Sequence, residues 1–333
     1  MSNQVQTRRS RLANDLSLNV LKTMDLFEII AHSFVSKKAL SMVQSLRLPI
    51  RSVQIKLDED TEIALNFENR CIVFELTIRK QMASLNALPV KVKTWKDTTM
   101  DTLNDDDTRN QAVTMSNYGM TLGEWIQHLC SISENEIPLE VQFWTEDMQL
   151  DIQSLRNTFP KLRQVCVIFS LDGTNENEII YAENLMRAFL SDTQNVHLYF
   201  VPPHFSLQSI GMANLKELKI NSRSNLNYDF LFTLNVDNCE ICSKSDQMPP
   251  LRDLNRFFKL WIKGSNPRLK ELLIDCDTEI VPDWNVLLKG LRAEEVEAEG
   301  SKKYIIINCR GIRAQIEVKH TETSASVTFI VSK

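Results

Sequence analysis

Hydrophobic residues follow two different periods along this chain. In the first 50 residues they recur at helical spacing, near 3.6 residues, and this pattern predicts three short helices over residues 12–50. Asp25, with Glu28 three residues later, and Ser36 are suited to begin the second and third of these helices. Pro49 forbids continuation of the last helix. Three helices of this length can bury only a small core.

From residue 51 the apolar positions alternate with polar ones, which is the period of a β-strand. Runs of this kind predict antiparallel strands joined by short polar turns, with a further strand near residues 90–95. The stretch 97–117 carries Asp101, Asp105, Asp106 and Asp107 but little apolar periodicity, so we expect a loop or linker there. We therefore predict a β-rich connecting segment over 51–117 that contains an acidic loop.

Beyond residue 117, helical and strand patterns alternate up to the end of the chain, so 118–333 is predicted as a third region. A short apolar theme recurs within its strands and resembles the strand part of a leucine-rich repeat. It occurs as Leu162-x-x-Val165-x-Val167, Leu215-x-x-Leu218-x-Ile220 and Leu269-x-x-Leu272-x-Ile274. The irregular spacing favours an α+β or α/β architecture with an irregular leucine-rich-repeat-like domain. Period-2 runs after residue 303 predict a terminal β-meander.

Composition indicates a folded chain with no overall affinity for polyanions. Of the 333 residues, 43% are hydrophobic and 24% are charged, as in globular proteins. A net charge of -5 gives no overall attraction to nucleic acid or to anionic lipid. No apolar run approaches the roughly 20 residues of a membrane span. We expect neither nucleic acid nor membrane as a partner.

The N-terminal residues and the cysteines bear on the compartment of the protein. The first twelve residues are polar and lack the apolar core of a signal peptide. The seven cysteines are odd in number and lie mostly within apolar segments, which is typical of reduced core residues. We therefore expect a cytoplasmic or nuclear protein.

Motifs of catalysis are scarce in this sequence. The chain has only 8 glycines, and it contains no glycine-rich phosphate loop, no Walker motif and no GxSxG elbow. Its five histidines lie far apart, and Asp105 to Asp107 lack the Gly and Glu of a calcium-binding EF-hand loop. We expect no catalytic residue, no cofactor and no enzyme activity, although an enzyme with an unrecognised site is a third hypothesis for this chain.

One CxxC motif, Cys239-Glu240-Ile241-Cys242, could supply half of a zinc site or a redox pair. A structural zinc ion takes four ligands, usually as two paired clusters, and the sequence has no second pair. The alternative is that Cys239 follows a buried strand and fills a small core position. We expect the core position and no metal.

The segment 251–269 predicts an amphipathic helix, a stop and the start of a buried strand. Pro250 suits the start of the helix and Gly264 suits its end. Leu254, Phe258 and Trp261 share one face, whereas the basic residues lie largely elsewhere. Interleaved aromatic and basic residues also occur in nucleic-acid platforms. The shared apolar face favours core packing.

Residues Leu18 to Leu46 resemble an F-box, a small helical motif that presents apolar side chains to a Skp-type adaptor bound to a cullin scaffold. The resemblance rests on Val20-Leu21-Lys22-Thr23-Met24-Asp25-Leu26, Ile29-Ile30 and Val35-Ser36-Lys37-Lys38. It implies that one group of residues is divided between adaptor contact and the core of the motif: Leu18, Leu21, Met24, Leu26, Ile29 and Ile30. F-boxes usually begin with Leu-Pro, which is absent from residues 12–18 here.

Residues from about Tyr118 to Val331 resemble the type-2 F-box-associated domain of an expanded nematode family of F-box proteins. Asn255-Arg256-Phe257, Lys259 to Gly264 and Asn266-Pro267-Arg268-Leu269 carry this resemblance. The two resemblances together imply a substrate-recognition adaptor of an SCF-type, cullin-based E3 ubiquitin ligase, with an unidentified protein substrate. The alternative is a protein-binding scaffold with a degenerate F-box and no ligase role.

Overall fold

The computed structural model describes residues 16–58, 60–77, 90–96, 110–116, 118–134, 137–146, 150–159, 161–171, 173–244, 249–296 and 301–332. The chain forms two compact units, Met1–Val141 and Gln142–Lys333. The division into 12–50, 51–117 and 118–333 stays a prediction, because a compact unit can contain more than one family domain. Among helices in the described ranges, none has both the length and the apolar character that a membrane crossing requires.

The first unit begins with helices, as the sequence predicts. Residues 16–21 are helical and are followed by α1 (Leu26–Ser33) and α2 (Lys37–Leu46). Asp25 begins α1 through a capping box with Glu28, and the Ser36 side chain accepts a hydrogen bond from the Ala39 amide at the start of α2. These caps satisfy amide groups that have no partner inside the helix. Both predicted helix starts are confirmed.

The sheet of the first unit is an antiparallel meander. Each strand pairs with the next one along the chain. The strands are β1 (Ser52–Leu57), β2 (Asp60–Asn66), β3 (Arg70–Thr77), β4 (Val90–Lys96) and β5 (Asn110–Met115). The prediction of a loop over 97–117 is wrong for Asn110–Met115, because backbone pairing with β4 forms a strand without a marked side-chain period. The acidic residues 101–107 lie outside the described residues.

A further helix follows the meander in the first unit. Helix α3 (Leu122–Ser131) starts at the capping box of Thr121 and Glu124 that the sequence predicts, and it buries Trp125, Ile126 and Leu129. Strand β6 (Leu139–Trp144) then crosses the division between the two units.

The second unit contains a mixed sheet with helices. Five strands, β7 to β11, lie side by side in parallel, and β11 then pairs with an antiparallel group in the order β15, β14, β13, β12. The parallel strands are β7 (Gln164–Ile168), β8 (Asn195–Tyr199), β9 (Leu215–Ser222), β10 (Val236–Ser243) and β11 (Glu271–Asp277). The others are β12 (Glu294–Val296), β13 (Lys302–Ile307), β14 (Arg313–His320) and β15 (Ser324–Val331). The last three form the predicted β-meander.

The helical elements of the second unit are mostly short. Its longest helix, α5, has 14 residues. The elements are α4 (Ile152–Thr158), α5 (Glu176–Phe189), α6 (Gln208–Gly211), a 3-10 helix (Tyr228–Thr233), α7 (Leu251–Ile262) and α8 (Trp284–Leu288). Helices and strands together bear out the α+β class.

The recurring apolar theme forms two rows across the parallel strands. Register places Val165, Val196, Leu218, Cys239 and Leu272 side by side, and it does the same for Val167, Leu198, Ile220, Ile241 and Ile274. All ten side chains are buried. Lateral stacking of this kind lets each strand bury the apolar edge of the next. The leucine-rich-repeat-like character stays a prediction.

Helix α7 occupies almost the predicted range, with Lys263 as its C-cap and Gly264 in a left-handed conformation at φ +96°. Its apolar face packs against Phe329 of β15, and the ring centroid of Phe329 lies 5.1 Å from that of Trp261 and 5.3 Å from that of Phe258. The guanidinium of Arg256 lies 4.6 Å from the ring centroid of Phe232. Core packing of the α7 aromatics is therefore confirmed.

Candidate functional site

The structure sorts the six predicted F-box contact residues into two groups. Leu21, Ile29 and Ile30 are core residues with exposed fractions of 3%, 5% and 0%. The other three, Leu18, Met24 and Leu26, are half-buried. A partner reaches a fully buried side chain only if the helices separate, so the half-buried group is the one suited to surface contact.

Three apolar residues of the F-box region are more exposed than any of those six. Leu16, Val20 and Val35 expose 60%, 59% and 69% of their surfaces, and we name them the outer F-box residues. Leu16 and Val20 are four residues apart in a helix and so share a side. Sequence reasoning missed all three as contact residues. The available signal was their position outside the apolar stripes, where a folding core does not require a hydrophobic side chain.

Aromatic stacking holds the F-box helices in place within the first unit. The ring of Phe34 stacks on His128 at 3.9 Å and also contacts Trp125 at 4.6 Å and Tyr118 at 5.5 Å between centroids. The buried hydroxyl of Ser33 lies 2.7 Å from Nε2 of His128. Desolvation lowers the pKa of His128, which keeps its imidazole neutral at physiological pH. These contacts fix the carboxyl end of α1 on α3.

Polar contacts add to this attachment. Arg70 of β3 forms an ion pair with Asp25 at 3.0 Å. The side-chain amide of Gln44 donates to the Ser131 hydroxyl at 3.1 Å. The backbone amide of Leu48 donates to the backbone carbonyl of Ile132 at 3.0 Å. The segment from Asp25 to Leu48, which includes the turn that carries Val35, is therefore joined to the rest of the unit at several points.

The second unit contains a groove between the carboxyl-terminal half of α5 and the segment 205–214. The groove encloses about 620 Å³. It is lined by apolar side chains and by two residues of opposite charge. The apolar ones include Met186, Phe205, Ile210 and Met212, and the charged ones are Glu183 and Arg187. Sequence reasoning did not identify it, because the two walls come from segments whose apolar periods indicate only packing.

The residues that carry the F-box-associated resemblance have structural roles. Asn255 donates from Nδ2 to the carbonyl oxygens of Leu287 and Lys289 at 2.7 and 2.9 Å. Arg268 donates to the Asp237 carboxylate at 2.8 Å. Asn266 adopts φ +52° and donates to the Leu231 carbonyl at 3.1 Å. These bonds join helices and loops inside the second unit, so the segment stabilises the fold.

The CxxC motif does not bring its two thiols together. Cys239 and Cys242 are three residues apart on β10, and side chains at odd spacing point to opposite faces of a strand. Cys239 is buried among apolar residues, as expected, and burial raises the pKa of both thiols, that of Cys242 to about 11. Within the described ranges, no group of three His, Cys, Asp or Glu side chains is placed to hold a metal ion.

Comparison with known proteins gives two domain matches. No curated protein matches. Two structures of a GH27 β-L-arabinopyranosidase from Geobacillus stearothermophilus, one with bound arabinose, match at 10% and 9% identity. They cover 64% of this chain and 79% and 77% of their own, with TM-scores of 0.27 and 0.26, which carry no argument about fold or activity. Residues 10–51 match the F-box domain family and residues 206–274 match the F-box associated family, so the chain contains an F-box domain followed by an F-box-associated domain.

Proposed function

We propose that this chain is the substrate-recognition adaptor of an SCF-type, cullin-based E3 ubiquitin ligase. The observation that carries the proposal is the occurrence of an F-box at 10–51 and an F-box-associated domain at 206–274 in one chain. F-box domains generally bind Skp-type adaptors, and F-box-associated domains bind substrates. Catalysis then belongs to the partners, and this chain raises the effective concentration of the substrate near the conjugating enzyme.

Exposure of apolar side chains supports the F-box as the adaptor contact. The outer F-box residues Leu16, Val20 and Val35 expose well over half of their surfaces. Removing apolar surface from water is favourable by about 25 cal/mol per Å², so a partner that covers these side chains gains binding free energy. The half-buried Leu18, Met24 and Leu26 would extend the contact.

The second unit is assigned to the substrate. Its parallel strands stack their apolar residues in two continuous rows, and we include in the proposal the leucine-rich-repeat-like character that this stacking favours. A core of this kind gives a rigid frame for surface recognition. We also propose a cytoplasmic or nuclear location and no enzyme activity of the chain itself.

Binding to a purified Skp-type adaptor tests the F-box assignment. The full chain is compared with Val20→Asp and Val35→Asp, which place a charge at the outer F-box residues. We expect each variant to bind about tenfold more weakly or worse, as for a contact residue worth at least about 1.4 kcal/mol. Ile280→Asp is the matched control, because Ile280 of the second unit is exposed to the same 69% as Val35.

The outcomes of this experiment separate clearly. Equal affinity of all four proteins would show that the outer F-box residues are not the contact. Absence of binding by the intact chain would refute the adaptor role. Ile29→Asp is a poor test, since Ile29 is 5% exposed and a charge there disrupts the core.

A scaffold with a degenerate F-box is the second candidate, and the missing Leu-Pro start at residues 12–18 favours it. Reconstitution with the adaptor, cullin core and conjugating enzyme distinguishes the two. A ligase adaptor is expected to become ubiquitinated on its own lysines in this assembly, and Val35→Asp should prevent that modification. A chain that binds its partners and stays unmodified would be a scaffold.

A further inference from the structure

The first wall of the groove, helix α5, is fixed at both of its ends. At its start, Glu178 is 4% exposed and accepts hydrogen bonds from the Thr145 hydroxyl at 3.1 Å and from Asn175. At its end, the Phe189 ring packs against Phe143 with centroids 5.9 Å apart. A helix held in this way keeps its groove-facing side chains in a constant position.

The second wall, segment 205–214, is fixed by close packing. A Cβ atom at Gly211 would lie 3.2 Å from the Phe230 ring, so α6 sits directly on the 3-10 helix. The Gly211 carbonyl also accepts from the Asn235 amide at 2.7 Å. Phe205 packs edge-on against Phe169 at 5.0 Å. Because both walls are held before any ligand arrives, binding loses little conformational entropy.

The groove combines an apolar interior with an apolar lip. Met186, Phe205 and Ile210 are buried, whereas Met212 is 50% exposed at the opening. Methionine side chains adapt to differently shaped apolar ligands and are frequent at binding surfaces. Small-ligand sites have volumes of about 300–1,000 Å³, so 620 Å³ suits a few side chains and not a folded domain.

Two opposite charges on α5 border the groove. Glu183 and Arg187 are four residues apart, which separates them by about 6 Å along the helix axis. Arg187 donates to the Asn184 side chain at 2.8 Å. In the described part of the chain, neither Glu183 nor Arg187 forms a salt bridge. The two charges are therefore available to complement a ligand that carries one basic and one acidic group.

We propose that this groove binds a linear segment of the protein substrate, with an apolar side chain in the interior, a basic residue opposite Glu183 and an acidic residue opposite Arg187. Two residues of extended chain span about 6.6 Å, which matches the separation of the two charges. The inference rests on the proposed function in one respect, because it makes the second unit the part that recognises a protein.

Selection from a random peptide display library on the full chain tests the groove. Peptides that bind the unaltered protein are expected to carry an apolar residue near one basic and one acidic residue. Arg187→Glu should replace the acidic preference with a basic one, and Glu183→Lys combined with Arg187→Glu should reverse the polarity of the peptides. Arg252→Glu, at an exposed arginine of α7, is the matched control and should leave the selection unchanged.

Affinity measurements on a selected peptide complete the test. Fluorescence anisotropy should give at least tenfold weaker binding to Arg187→Glu and to Ala213→Trp, which fills the groove, while Arg252→Glu binds normally. Equal binding to all of these proteins, or groove-dependent self-association in sedimentation, would overturn the proposal. Circular dichroism checks the fold of Ala213→Trp, and Arg187→Glu, at an exposed position, gives an independent result.

Adaptor binding measured on the same preparations keeps the two proposals apart. Groove-dependent peptide binding without adaptor binding would refute the ligase role and support the peptide site. Adaptor binding without groove-dependent peptides would refute the peptide site and leave the ligase role standing.

Discussion

The F-box region and helix α7 both bury apolar side chains, but only the F-box region also carries strongly exposed ones among its described residues. In α7, Leu254, Phe257 and Phe258 are completely buried and Trp261 is 2% exposed. In the F-box region, Leu16, Val20 and Val35 are 59–69% exposed although all three are hydrophobic. The apolar stripe of α7 therefore serves the core, whereas the exposed Leu16, Val20 and Val35 are available to a partner.

The difference has a physical cause in what each helix packs against. Helix α7 lies on the mixed sheet, where Phe329 of β15 packs against its three aromatic side chains, Phe257, Phe258 and Trp261. Leu16 and Val20 lie on the short helix over residues 16–21, and Val35 lies in the turn between α1 and α2. Elements of this size bury only part of their apolar surface.

Trp261→Ala should give the largest loss of stability. The substitution removes a buried indole that packs edge-on against Phe329, and we expect a loss of about 3–5 kcal/mol in the free energy of unfolding. Urea denaturation followed by circular dichroism measures it. Ile280→Ala, at an exposed position, should change stability by no more than about 0.5 kcal/mol. Similar values for both variants would break the contrast between buried and exposed apolar residues.

A matched pair inside the F-box sharpens the comparison. Ile29→Ala should destabilise the first unit by about 2–5 kcal/mol, because a buried side chain leaves a cavity. Val35→Ala should stay within about 0.5 kcal/mol, since Val35 is mostly in water already. Hydrogen exchange of amides in α1 and α2 reports the two changes. A large effect of Val35→Ala would mean that this residue supports the fold.

Asn255→Ala should cost about 1–3 kcal/mol, because the buried Leu287 carbonyl and the part-buried Lys289 carbonyl lose their donor. Denaturation of the full chain measures the loss. Asn238→Ala, at an exposed position of β10, is the control and should be close to neutral. If Asn255→Ala also proved neutral, the family signature would need a role other than stabilising the fold.

The pH dependence of the first unit should give the smallest effect. The pKa of His128 is lower in the folded protein, so the unfolded chain binds more protons between the two pKa values. Stability should therefore fall as pH drops below about 6.5, the pKa of an unperturbed imidazole. Urea midpoints at several pH values measure this, and His128→Gln should reduce the slope. His204→Gln, at an exposed position, should keep it, and an unchanged slope in His128→Gln would contradict the assignment.

Local features of the sequence were sufficient for much of the fold. The capping residues Asp25, Ser36 and Thr121 mark helix starts where the structure has them, because a cap involves only neighbouring residues. The limits of α7 and the terminal meander follow in the same way from Pro250, Gly264 and period-2 patterns. Strand β5 was missed, since it depends on pairing with β4 and has little period of its own.

Residue order thus fixed the helix starts, the strand periods, the aromatic face of α7 and the two domain resemblances, all of which are short-range patterns. It left open which F-box residues are exposed, whether the two thiols of the CxxC motif meet, and where a groove forms. Those properties depend on distant contacts, such as the one between Ser33 and His128, which are 95 residues apart. Burial is a property of the assembled chain. The difference in exposure between the buried Leu21 and its exposed neighbour in sequence, Val20, therefore arises only on folding.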